Sequence, residues 1–539
     1  MAAPSVVYQQ HLDTNVSSLN PPGLDHGVFD SGRLSKVVIT AAITFITLYV
    51  LGLTQKSKGA TVANRLFSFE PRWFARFRWS IWAKDILDAA DKKAQGRPYM
   101  LSRGDKDLIV LPPQLIPDLN RLGPDVLDSR RSHSFMLLGR LTGMQVVEKT
   151  SYHVRMLLSR ISPALPDLLK PIASKFCACL DRDMPQGGDW VATKLNPITV
   201  KCLSEGMAIV LFGPELAKDP RLSQLSVELT MDIFMVAFMM RLVPTFLQPI
   251  AVWLVPAKWR LHRRWNELRG YVVPEVLRQV EVRNAAAAVG KKIVAHPDLI
   301  SWMVQDGKTD MERDPEVLTT LCGSVAAGSI FSIANFVCRA LSNLAAHPDV
   351  LEAIREEIRE THASIGGRWD AAAMATMDRL ESAMKETARQ APPGTLIVYS
   401  RAVQQDVNVG GYELKKDQFV TMSWAMRAMN PDLYEDPENF HGLRFCAPDK
   451  LEHHRAKPFR ALDNDILAWG AGRWACPGRH VADMAAKVLL IKLLNEYDFG
   501  LVDGKPLHQK LIHEFGFFDP DDKMLVRRRT DAVPMSWSP

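Results

Sequence analysis

Apolar residues recur along this chain at three- and four-residue spacing over 193–240, 262–288 and 315–346, and again in HVADMAAKVLLIKLL from His480. That spacing puts them on one face of a helix, so each stretch predicts helix. A shorter helical pattern covers 86–95. Three denser apolar runs predict strands: DLIVLPP (107–113), closed by a proline stop, TLIVYSRAV (395–403) and QFVTMSW (418–424). With no internal repeat, no low-complexity tract and no linker inside 66–539, the pattern predicts one large domain, mainly α with a minor β portion.

One run stands apart. Residues 37–53, VVITAAITFITLYVLGL, are uncharged and almost wholly apolar, near the short end of a membrane-spanning helix. Lys36 precedes the run and Lys56, Lys58 and Arg65 follow it, so the positive-inside rule puts the body of the protein on the cytosolic side. The expected order is a short lumenal leader (1–36), a single transmembrane anchor (37–53), a linker (54–65) and the main domain (66–539). A cleaved signal peptide and a buried core helix are the rival readings of 37–53. Asn15-Val16-Ser17 is a glycosylation sequon on the side expected to be lumenal. Across 54–85, Trp73, Phe74, Phe77 and Trp79 interleave with Arg72, Arg76 and Arg78, which suits either a segment settled at the headgroup boundary or a half-buried loop.

Charge adds little. The 66 basic and 60 acidic residues leave an excess of six, spread without a basic, aromatic-interleaved patch, so nucleic acid is not an expected partner; an anionic membrane face is compatible. The seven cysteines are scattered, with no paired CxxC motifs, which argues against a zinc site or a disulfide framework and for a reducing compartment.

The chemistry concentrates in AWGAGRWACPGRH (468–480). Gly470 and Gly472 permit a tight turn and close approach to a flat ligand, Pro477 and Gly478 bend the chain around Cys476, and a helix follows. Near a helix N-terminus the dipole favours a thiolate, the form that serves as an axial ligand to heme iron. Arg473 is placed to pair with a heme propionate. A buried structural cysteine in a glycine turn is the alternative reading.

This stretch resembles the heme loop of the cytochrome P450 family, in the residues Trp469, Gly470, Gly472, Arg473, Cys476 and Gly478. Trp474 departs from it, since the family usually has a basic residue or histidine there. Upstream, Glu386 and Arg389 share a helix face, and PENFHGLRF (437–445) offers Arg444 as a third partner. This is similar to the family's structural Glu-x-x-Arg and arginine triad. Arg401 matches a position that often meets a propionate, while His153 and Arg155 are similar to a His-Val-x-Arg segment of fungal relatives. For His153 a satisfied core or surface histidine is an equal reading.

By resemblance, 318–350 is the oxygen-binding helix, aligned from Leu344-Ala345-Ala346-His347-Pro348. Gly328 then opens the helix beside the iron, Phe331 replaces the acid, and Ser332 takes the place of the alcohol in the proton-delivering pair. A shift of one would bring in Ser329 or Ile333, and no shift of one restores an acid, since none lies between Glu316 and Asp349. Phe331, Ile330 and Ser332 are expected over the heme, with part of 120–145 as a lid. Phrases such as GRPY, LAAHPD and YEDPENF look like fungal members that tailor terpenoids, polyketides or mixed metabolites.

The resemblance implies a P450 fold and a heme b cofactor. It implies an endoplasmic-reticulum monooxygenase that takes electrons from NADPH–cytochrome P450 reductase and oxidises a lipophilic small molecule. Two alternatives remain at this point: a heme-thiolate catalyst of rearrangement, dehydration or oxidative ring closure, marked by Phe331 and Trp474, and a non-catalytic heme binder.

Overall fold

The computed structural model describes residues 62–538 apart from 67–69, 71, 104–105, 292, 294 and 392–393, together with Thr40. The expected leader and anchor therefore lie outside the described residues, Thr40 excepted.

Eight helices carry the argument: α1 (Arg72–Ala94), α2 (Ser129–Met136), α3 (Leu195–Leu216), α4 (Pro220–Arg241), α5 (Pro256–Ala288), α6 (Pro315–Ala346), α7 (Asp378–Gln390) and α8 (Arg479–Glu496). The central helix is α6, which packs against α3, α4, α5, α7 and α8. By length and composition α3, α4 and α6 are apolar enough to cross a membrane, yet most of each apolar window is buried in the fold. Their hydrophobicity is that of core helices covered on several faces. The continuous pattern over 193–240 is split because Gly213 (φ +85°) and Pro214 end the regular part of α3, after which Asp219 caps α4 by accepting from the Arg221 N–H. Residues 72–85 are helix, neither linker nor loop, so α1 begins well before the stretch expected at 86–95; non-helical φ/ψ at Trp82 kinks it.

A five-stranded sheet stands beside this bundle. Its members are β1 (Tyr99–Ser102), β2 (Asp107–Val110), β3 (Leu127–Asp128), β4 (Ile397–Val403) and β5 (Phe419–Ser423), in the order β1-β2-β5-β4-β3. The β2–β5 pair is parallel and the others antiparallel. Between Val398 and Arg401 the β4–β5 register slips, with Tyr399 at φ +57°. That bulge re-aims the strand where it passes the cavity described below. Further short strand pairings that involve the C-terminal part of the chain, among them 509–512 with 515–518, escape the sequence reading because each is only a few residues long.

Where sheet and bundle meet, Glu514 is fully buried between two fully buried arginines, Arg103 (2.8 Å) and Arg241 (3.2 Å). The Trp79 indole donates to its other oxygen at 3.1 Å, and Arg241 also donates to the Met136 carbonyl. One carboxylate thus joins α1, β1, the C-terminal end of α4 and, through Met136, the end of α2. None of the seven cysteines is paired in a disulfide.

A cavity floored by Cys476

The loop ahead of α8 is shaped by two residues in the left-handed region, Gly470 (φ +70°) and Gly472 (φ +67°). A Cβ at Gly472 would lie 2.2 Å from Asn120 Oδ1. Asn120 accepts from the Tyr399 hydroxyl at 2.8 Å, so Gly472 lets the loop close against the β4 bulge. The Cys476 N–H donates to the Trp469 carbonyl (2.8 Å), and the Trp469 indole donates to Phe459 O (2.5 Å). The Phe459 ring lies 5.0 Å from Trp469 and stacks on Phe336 of α6 at 5.1 Å.

Cys476 opens into a cavity of about 490 Å³. Of the residues expected at the site, Gly328, Ser332, His153, Arg401, Gly470, Arg473 and Gly478 line it as well, whereas Gly472 supports the loop from behind. Phe331 and Ile330 do not line it. Helical phase decides this: the exposed face of α6 carries Ser324, Val325, Gly328, Ser329, Ser332, Ile333 and Phe336, and residues 330 and 331 fall on the flank. The aromatic on this face is therefore Phe336. A Cβ at Gly328 would meet no atom within 4 Å, so the space above it is open, and the Ser332 hydroxyl is bonded to Gly328 O and Ser329 O, both at 3.0 Å.

The electrostatics correct one expectation. Burial pushes the Cys476 thiol up, against the opposing pull of the Gly478 and Arg479 N–H groups and the Arg479 guanidinium. Desolvation outweighs the helix terminus, so the protein alone favours the thiol. Around the cavity the balance is cationic. Arg130, Arg401 and Arg473 line it beside two histidines, His133 and His153, and among the described residues no Asp or Glu does. Arg401 is 3% exposed; it donates to Ser400 O (2.8 Å) and Ala471 O (3.2 Å), lies over the Tyr399 ring and pairs with no carboxylate among the described residues. Arg473 is exposed and makes no ion pair among the described residues. Burial lowers His153 to about 4, and its buried Nδ1 has no hydrogen-bond partner. Burial lowers His133 too, with its Nδ1 2.8 Å from Ser129 O. Arg155 instead pairs with Glu312 at 3.0 Å.

At position 474, where a cation was missing, the Trp474 indole donates to Leu127 O (3.3 Å) and its ring lies under the Arg130 guanidinium (5.8 Å). Asp128 caps α2 through the Arg130 N–H and pairs with the same guanidinium at 2.8 Å. Arg130 and His133 escape sequence reading, the available signal being SRRSH directly after a capping Asp, whereas Ser329 and Ile333, brought in only by a register shift of one, both line the cavity.

Away from the cavity, Glu386 and Arg389 are fully buried. Arg389 makes two bonds to Glu386 (2.8 and 2.7 Å) and donates to Ala428 O and Pro437 O. The Arg444 Nε lies 3.1 Å from both Glu386 oxygens, and its Nη atoms reach Glu435 O and Asp436 O. A carboxylate held by two forks thus gathers the carbonyls of 428–439 and orders the chain leading to the cysteine loop.

A largely apolar cavity edged by three arginines, with no acid among the described lining residues and one accessible cysteine, suits a flat, doubly anionic ligand such as heme. Comparison with known proteins agrees. A match to the family described as cytochrome P450 spans residues 150–526. The chain is 25% identical to cytochrome P450 monooxygenase AN1598 of Emericella nidulans over 98% of both chains. It is 25% identical to cytochrome P450 monooxygenase olcJ of Penicillium canescens over 94% of this chain and 96% of that one. The ent-kaurene oxidase of Fusarium fujikuroi is 24% identical over 94% and 95%. The chain belongs to the cytochrome P450 family, whose members are heme-binding oxidoreductases.

Proposed function

We propose that this protein is a membrane-anchored heme-thiolate monooxygenase that inserts an oxygen atom into a lipophilic secondary metabolite. The observation that carries the reading is Cys476 on the floor of a largely apolar cavity roofed by α6 and edged by the arginines Arg130, Arg401 and Arg473. Heme, when bound, supplies dioxygen activation. Cys476 would hold the iron; Arg401, Arg473 and Arg130 would take the propionates, with His153 offering its unpartnered Nδ1. Gly328 leaves room beside α6, and Ser332, its proton shared between two helix carbonyls, is placed to pass a proton on the cavity side. Val325, Ile333, Phe336 and Val398 exclude water and hold an apolar substrate.

Membrane attachment is supported by the apolar run 37–53 and by exposed side chains in two places. Trp73, Phe74, Phe77, Ile81 and Trp82 stand out of α1, and Phe246, Ile250, Trp253 and Leu254 out of the chain after α4. Trp79 of α1 and Arg241 at the end of α4 both bond Glu514, and the exposed rings on α1 and after α4 are of the kind that suits a headgroup boundary. A terpenoid or polyketide substrate follows from the resemblance of GRPY, LAAHPD and YEDPENF to fungal tailoring members, one relative being named an ent-kaurene oxidase, and an NADPH-dependent reductase would supply the electrons.

The test is expression beside such a reductase. The reduced, carbon-monoxide-treated protein is expected to show the red-shifted Soret band of thiolate ligation, and Cys476→Ser to lose it. Product formed under labelled dioxygen is expected to carry one labelled atom, and product without label would overturn the reading.

A further inference from the structure

The cavity wall offered by α6 is not uniformly apolar. Three of its residues are serines, at 324, 329 and 332, and the hydroxyl proton of each is committed to the helix: Ser324 donates to Thr320 O (2.7 Å), Ser329 to Ala326 O (3.3 Å) and Ser332 to Gly328 O (3.0 Å). A hydroxyl has one proton and two lone pairs, so what these side chains turn to the cavity is acceptor capacity. Ser324 is 8% exposed and sits among Val325, Met207 and Met136 in the lining. Its proton is met by Thr320 O, which leaves the lone pairs as the polar feature of an otherwise apolar stretch of the lining.

Position along α6 separates the serines. The Phe336 end is tied to the cysteine loop through Phe459 and Trp469. Ser332 is one turn from that end. Ser324 lies eight residues further back, about 12 Å along the helix axis. It therefore faces the part of a bound molecule farthest from Cys476, with Ser329 between.

We propose that Ser324, assisted by Ser329, reads a hydroxyl group on the substrate, and that the substrate is a neutral, extended apolar molecule whose hydroxyl lies remote from the carbon that is oxidised. This rests on the monooxygenase reading above. A donor is required because the serine protons are taken. A protonated amine finds no counter-ion among the described residues, none of the lining side chains being a carboxylate. A carboxylate at this end would meet lone pairs. The class of reaction that supplies such a substrate is one that leaves an alcohol at one end of an otherwise hydrocarbon skeleton.

Androstanol and androstane, a rigid alcohol and its parent hydrocarbon, serve as probes with the full-length protein. Binding is followed by quenching of tryptophan emission, which needs no heme, and in parallel by the Soret change. The alcohol is expected to bind about five-fold tighter than the hydrocarbon, the value of one ordinary hydrogen bond. Ser324→Ala/Ser329→Ala is expected to reduce that ratio to about one while the hydrocarbon's affinity stays unchanged; Ser324→Thr, which keeps the acceptor, preserves it. Equal affinities in the unsubstituted protein, no binding of the alcohol, or a ratio that survives the double alanine change overturns the proposal. A protein that keeps the ratio in fluorescence but lacks the thiolate Soret band overturns the monooxygenase reading alone.

Discussion

Replacing Gly472 by alanine isolates the contact between the cysteine loop and the sheet. The native φ of +67° costs an L-residue about 1–2 kcal/mol. The new Cβ would stand 2.2 Å from Asn120 Oδ1, so Asn120 has to move and release the Tyr399 hydroxyl it holds at 2.8 Å. Overpacking of this kind costs about 1–3 kcal/mol, and the lost hydrogen bond about 1 kcal/mol. Gly472→Ala is therefore expected to destabilise by about 4 kcal/mol. Asn120→Ala alone loses only the hydrogen bond. Combined with Gly472→Ala it removes the clash, so the double variant is expected to be about 1–3 kcal/mol more stable than Gly472→Ala, a coupling of unusual sign. Urea titration followed by tryptophan fluorescence measures all three, and hydrogen exchange across 467–478 locates the effect. A double variant no more stable than Gly472→Ala, or a single variant indistinguishable from the parent, refutes the reasoning.

Other expectations follow from the same geometry. Glu386→Gln leaves Arg389 and Arg444 buried without their shared charge and is expected to cost about 3–5 kcal/mol, read as a lower urea midpoint and reduced heme content after purification. His153, lowered by burial to about 4, gives the heme-free protein an acid liability: between about pH 6.5 and 4 the unfolded chain binds a proton that the folded one refuses, so stability falls as pH drops through that window. His153→Phe is expected to flatten that slope in midpoints measured from pH 7 to 4, and an unchanged slope would rule His153 out as its source. Trp474→Arg is expected to restore heme retention lost on Arg130→Ala, measured as the Soret-to-protein absorbance ratio; without rescue, the cation under discussion is not exchangeable between the two positions.

Much of the site was legible because it is local in sequence. Cys476, its glycines and Arg473 lie within eleven residues, and the Glu386–Arg389 spacing is one helix turn. The long helices were legible for a similar reason: α6 runs over 315–346, the stretch its periodicity marked. What was missed depends on phase or on distance. Phe331 and Ser332 are neighbours in sequence, and a turn of about 100° decides which of them meets the cavity. Arg130 became visible only when folding laid it over Trp474, 344 positions along. Residues 72–85 read as a surface segment because their aromatics and arginines alternate, whereas the backbone beneath them is helical and still leaves many of those rings exposed.

The carboxylate of Glu514 also dictates where this protein can be cut. Trp79 and Ser80 sit inside the fold's bonding scheme, through the indole on Glu514 and the Ser80 carbonyl that accepts the His513 N–H at 3.0 Å. A soluble form trimmed ahead of residue 62 keeps that scheme whole. One trimmed after 82, at the kink, deprives Glu514 of a donor and exposes the far side of the same residue pair that holds Met136 at the cavity's rim. Removing α1 to improve solubility would thus loosen the cavity lining at Met136.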